Sequence, residues 1–165
     1  MKTTLLFGLT ILSGVIISSC SSKEKVIGLR QNIHHDDFEY SVQSIDKTGQ
    51  IGNLRPHGTF YVVVFQVENH ARRVDHRWNN DVAYMTDETG VRHDNDDPAQ
   101  QELNRVKPFD YKKEYVTPAG ETETTTLVFD LPKEVRQPYL QVRGSLLMGD
   151  VFDGSQFKRT KIKLF

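Results

Sequence analysis

The sequence predicts an all-β protein: a two-layered β-sandwich of seven or eight mostly antiparallel strands with one short helix near 98–105. Three observations carry that reading. The stretch Thr59–Val67 is almost wholly β-branched or aromatic, and both of its faces are apolar. Phe60, Val62 and Val64 lie on one side, and Tyr61, Val63, Phe65 and Val67 on the other. A strand with one wet face alternates apolar with polar, so this one is expected inside a sheet and covered on both sides. The last third of the chain does alternate, with Leu127, Phe129 and Leu131 opposite Thr124, Thr126 and Asp130. Finally, turn residues punctuate the chain at short intervals: Gly49, Gly52-Asn53, Gly90, Pro118-Ala119-Gly120, Pro132, Gly149-Asp150 and Asp153-Gly154.

In chain order, residues 1–19 read as a lipoprotein signal peptide. Lys2 is the only charge, and the apolar run from Leu5 to Ile17 is too short to span a bilayer comfortably. Ile17-Ser18-Ser19-Cys20 resembles a bacterial lipobox, which implies cleavage before Cys20 and acylation of that residue. A lipoprotein cysteine carries at least two acyl chains, enough for stable anchoring. Residues 20–37 then read as the lipidated cysteine and a flexible tether, and 38–165 as the sandwich domain. Within the domain, Phe38, Tyr40 and Val42 alternate with polar residues as a half-buried strand. His70–Asn80 is a polar connection, Val82–Thr86 a short strand, and Asp87–Gly90 a hairpin turn into Val91–His93. Asp97-Pro98 reads as a helix start, with Asp97 as N-cap. Tyr111–Val116, Thr122–Leu131, Tyr139–Met148 and Lys158–Phe165 complete the strands. Lys158, Arg159, Lys161 and Lys163 suit an exposed edge, where lysines prevent edge-to-edge pairing. The segment 98–116 is expected to cover the second apolar face of 59–67.

With 165 residues the chain has the length of one domain, and a formal net charge of −1 offers no field for nucleic acid. Cys20 is the only cysteine, so the fold is expected to have no internal disulfide.

Three motifs together resemble the bacterial family catalogued as domain of unknown function 4352. They are the apolar strand closing on Val67-Glu68-Asn69, the short strand and hairpin Val82–Gly90, and the turn Pro118-Ala119-Gly120 before Leu127–Pro132. The resemblance covers roughly residues 38–147. It implies an immunoglobulin-like sandwich on a secreted protein or lipoprotein, similar in fold to a secreted mycobacterial antigen. It implies no activity and no catalytic residues. The charged 94–115 insertion and the basic last strand depart from the pattern.

The residues themselves offer few sites. Arg72, Arg73, His76, Arg77 and Trp78 form a candidate partner-binding loop at one end of the sandwich, where such folds place recognition. The competing reading has Trp78 packing over the open end of the core. Asp94, Asp96 and Asp97 are the ligands to name if calcium binds, although no EF-hand spacing is present. The six histidines lack short metal-ligand spacings, and His34 and His35 point to opposite sides of an extended chain. No nucleophile elbow, phosphate loop or zinc-protease motif occurs. The expectation is therefore a non-enzymatic, lipid-anchored module on the extracytoplasmic side of the bacterial envelope, with no cofactor and no nucleic acid. It binds an envelope protein or surface component. A small-ligand or calcium-binding module is the alternative, and an uncharacterised hydrolase ranks last.

Overall fold

The computed structural model describes residues 24–143 and 156–165. In chain order they form strands β1 (Lys25–Ile27), β2 (Ile33–His35), β3 (Phe38–Thr48), β4 (Thr59–Asn69), β5 (His76–Trp78), β6 (Ala83–Thr86) and β7 (Arg92–His93). Helix α1 (Asp97–Val106) follows, then β8 (Tyr115–Thr117), β9 (Thr122–Leu131), β10 (Tyr139–Val142) and β11 (Thr160–Lys163). One sheet has the order β2-β3-β4-β9 and the other β1-β11-β10-β6-β7; β5 and β8 make a separate ribbon. The β-sandwich predicted from the sequence is the observed architecture.

The stretch 59–67 lies inside β4, which pairs with β3 on one side and β9 on the other over nearly its whole length. Tyr61, Val63, Phe65 and Val67 face the opposite sheet, each no more than 2% exposed. They share one buried cluster with Tyr40, Val42, Met85, Leu127, Phe129, Leu140 and Ile162. Gly58 lets β4 start against β9, because a Cβ there would stand 2.0 Å from the Leu131 carbonyl oxygen.

The other face of β4 meets α1. Phe60 and Val128 pack with Ala99 and Ile51, and Val62 and Leu103 lie against them half-buried. Three polar contacts pin the helix to β9. Asp96 N–H donates to the Val128 carbonyl at 2.7 Å, and Val128 N–H donates to Asn95 Oδ1 at 3.0 Å. The fully buried Gln100 donates through Nε2 to the Thr126 carbonyl at 2.7 Å. These bonds satisfy the outer edge of β9, which would otherwise be open. The expected cover thus comes from 97–109, with Lys107, Pro108 and Phe109 extending it toward Val62 and Val64. Residues 115–117 turn away to pair with β5 instead.

Several boundaries differ from those the sequence suggests. The sandwich begins before Phe38. β2 pairs with β3 through a two-residue turn at Asp36-Asp37, and Ile33 is 1% exposed. β1 pairs in parallel with β11. Short strands of this size show no periodicity, so 25–37 resembled a tether. The helix is capped by Asp96, not Asp97: Asp96 Oδ1 accepts from Ala99 N–H at 2.9 Å, and Asp97 sits in the first turn. Proline suits either early position, since neither N–H has a helical partner. The basic last strand is not an edge. β11 lies between β1 and β10, with Ile162 and Leu164 buried, Thr160 buried beside them, and Lys161 paired with Glu24 at 2.8 Å. The hairpin at Asp87–Gly90 forms as expected, with Gly90 at φ +86° and Asp87 Oδ1 accepting from Thr89 and Val91 N–H. The signal peptide, Cys20, the expected strand residues Leu146 and Met148, and the turns at 149–150 and 153–154 lie outside the described residues.

Unequal cover on the two faces of β4 gives a direct test. Phe65→Ala opens a cavity between the sheets and should lower the unfolding free energy by about 3–5 kcal/mol in urea titrations. Leu103→Ala, on the half-buried helix side, should lower it by only about 1–2 kcal/mol.

Candidate functional site

The polar connection after β4 folds back on the sandwich end because its aromatic residues have core partners. Trp78 stacks on Tyr115 with ring centroids 4.2 Å apart and planes 9° from parallel. Its indole N–H donates to Thr117 Oγ1 at 2.9 Å. Asn69 holds the same corner, donating to the carbonyls of Val74 and Thr117. Tyr115 is fully buried and its hydroxyl is 2.6 Å from Thr125 Oγ1; burial raises its pKa. Trp78 therefore closes the end of the core, as one of the two sequence readings had it.

Beside this ribbon lies a cleft of about 440 Å³ lined by Tyr40, His76, Arg77, Asn79, Asp81, Lys113, Glu114 and Arg143, with Trp78 and Val82 beneath. Its floor is aromatic. His76 stacks on Phe38 at 3.9 Å and places Nε2 2.8 Å from the Tyr40 hydroxyl. Burial, followed by the neighbouring His35, lowers the His76 pKa to about 4. The imidazole is thus neutral at neutral pH. The rim carries the cations Arg77, Lys113 and Arg143 and the carboxylates Asp81 and Glu114. This surface can offer hydrogen bonds and ion pairs around an uncharged aromatic base.

Of the five loop residues named from sequence, His76, Arg77 and Trp78 line the cleft, while Arg72 and Arg73 are exposed outside it. Tyr40, Lys113, Glu114 and Arg143 come from three other segments, and no local pattern marks them. The acidic stretch does not converge. Asp94 is held by Arg92 at 2.6 Å and Arg143 at 2.9 Å. Asp96 caps α1, and Asp97 Oδ1 accepts from Asn95. Asp94 and Asp96 do line a second cavity of about 620 Å³ with His57, His93 and Asp130. There the Asp130 oxygens receive the backbone N–H groups of His57 and Gly58, which makes Asp130 a turn cap. Among the described residues, the only three-residue group with converging metal-ligand atoms lies elsewhere, on β3, β4 and the residue after β4.

The depressed His76 pKa has a signed consequence. Between about pH 6.5 and 4 the unfolded imidazole binds a proton that the folded one refuses, so folding weakens as pH falls through that window. His76→Gln should remove part of this slope, on the order of 1 kcal/mol after allowing for solvent screening, in denaturation midpoints measured from pH 7 to 4.

No protein-family model matches the chain, and no curated protein matches it. Solved structures do. The yjhA protein of Bacillus subtilis superposes with a TM-score of 0.58 at 10% identity, covering 84% of this chain and 98% of that one. A conserved hypothetical protein of Bacillus anthracis gives 0.55 at 16% identity, covering 87% and 96%. The secreted protein MPT63 of Mycobacterium tuberculosis gives 0.52 at 11% identity, covering 76% and 94%. At these identities the likeness shows a shared β-sandwich fold, and none of the described helices is long and apolar enough to cross a membrane.

Proposed function

We propose that the chain is a lipid-anchored module on the extracytoplasmic side of the bacterial envelope, which binds a protein or surface component in the cleft beside β5 and performs no catalysis. The cleft chemistry supports this most directly. A neutral Tyr40–His76 floor is ringed by the cations Arg77 and Lys113 and the carboxylates Asp81 and Glu114, with Arg143 held at the edge by Asp94. Recognition patches join an apolar centre to a polar rim in this way, and charges of both signs on the rim suit a partner with complementary charges.

The anchor reading rests on the lipobox at Ile17–Cys20. With the fold starting at Lys25, only residues 21–24 separate it from Cys20. Five Cα steps span at most about 18 Å, so the sandwich would stand close against the lipid surface, its β1 edge nearest.

Two variants test the two halves separately. Crosslinking in intact cells should give an adduct whose yield falls at least roughly tenfold in Arg77→Glu plus Lys113→Glu, a charge reversal at exposed positions with an unchanged melting temperature. An undiminished adduct would refute the cleft as the binding site. Cys20→Ser should move the protein out of the membrane fraction; continued co-sedimentation would refute the anchor.

A further inference from the structure

The geometry points to a divalent transition-metal site, of the zinc and copper(II) class, on the outer face of the β2-β3-β4 sheet, with Glu39, Glu68 and His70 as ligands and His34 positioning Glu39. Nothing in the cleft takes part in it. The strand register builds it. Glu39 stands directly opposite His34 on β2 and directly opposite Glu68 on β4. His70, the residue just after β4, follows Glu68 by two, and its Nε2 reaches toward both carboxylates.

The spacings suit an ion. Ligand oxygens and nitrogen of Glu39, Glu68 and His70 all lie within 4.8 Å of one another. His70 Nε2 is 3.6 Å from Glu39 Oε1 and 3.5 Å from Glu68 Oε1. A tetrahedral ion with bonds of about 2.0–2.2 Å holds its ligand atoms about 3.3–3.6 Å apart. These two distances match that edge and are long for hydrogen bonds. Glu39 is already oriented, since Asn32 Nδ2 donates to Oε2 and His34 Nδ1 lies 3.0 Å from Oε1. Metal ligands are commonly held by such outer contacts.

The charges give a second, independent reason. Carboxylates directly opposite one another on antiparallel strands repel. Elsewhere in the molecule several carboxylates have fixed cations: Asp94 has Arg92 and Arg143, Glu102 has Arg105, and Glu123 has Lys112. Among the described residues, Glu39 and Glu68 pair with no lysine or arginine, only with imidazoles and an amide. One divalent ion would offset both charges. The imidazole ligand selects zinc or copper over calcium, which prefers six to eight oxygens. Three protein ligands leave a further position for water or for a group on a partner.

The test uses the full chain purified in detergent, stripped with EDTA and dialysed against zinc chloride. Elemental analysis should find one zinc per chain, with a higher melting temperature in zinc and none of that gain in calcium chloride. His70→Ala and Glu68→Gln should lose stoichiometric zinc, and His34→Ala should weaken binding roughly 10–100-fold. His57→Ala, far from the row in the second cavity, should retain it. Glu68→Gln relieves the repulsion, so its metal-free melting temperature should equal or exceed that of the unaltered chain, which separates lost ligation from lost folding. The proposal fails if the unaltered chain takes up no zinc. It fails equally if both ligand variants bind as much zinc as the unaltered chain.

Discussion

A strand with two apolar faces needs two covers, and β4 imposes that demand on the whole molecule. The opposite sheet meets Tyr61, Val63, Phe65 and Val67, and α1 meets Phe60 and Val62. The helix cover is not held by apolar contact alone. The helix is a short one, and helices of ten residues are marginal by themselves. It is fixed by Asn95, Asp96 and Gln100, which hydrogen-bond the exposed edge of β9. One set of contacts thus covers the second face of β4 and closes a sheet edge. This explains why the polar Gln100 can be fully buried: its side chain is bonded to Asn95, Asn80 and the Thr126 carbonyl.

The long elements were legible because they carry their signal over ten or more residues. β4 is β-branched or aromatic on both faces, β9 alternates with a period of two, and the observed β9 has the expected ends. The three-residue strands β1, β2, β5 and β8 show no period, and pairing alone makes them strands. That is why 25–37 resembled a tether, and why Tyr111–Val116 was expected as a longer strand than the observed Tyr115–Thr117. The last strand misled for a related reason. Its lysines suit an edge, yet β1 pairs beyond it, and Lys161 finds Glu24 and the ring of Tyr139. Charge on a strand reports its solvent face and says nothing about its neighbours.

Sites were less legible than strands because sites are assembled across the sheet. The loop 70–80 drew attention through Trp78 and its arginines, but Trp78 has a structural stacking partner and Arg72 and Arg73 lie outside the cleft. The residues that complete the cleft come from β3, from 113–114 and from the end of β10. Likewise Glu39 is distant in sequence from Glu68 and His70, and strand register alone unites them. Only the Glu-x-His spacing at 68–70 was local, and it carries a single chelating face rather than a motif.

The two sites share their supporting strands through simple alternation. On β3, Phe38 and Tyr40 point inward and contact His76, while Glu39 between them points outward. On β2, His35 is buried near His76, whose pKa is lowered first by its own burial and then by His35, while His34 faces Glu39 outside. Each adjacent pair divides one residue to the cleft floor and one to the outer row. β2 is only three residues long and lies at the edge of its sheet, so its backbone pairing is the weakest part of that shared support. An ion bound at the outer row would brace β3 and β4, and through His34 it would hold β2 as well. Bracing of that kind would limit movement of Phe38 and Tyr40 beneath His76, so occupancy outside would stiffen the floor inside. The link needs no signal across the core, because both sites rest on the same two strands.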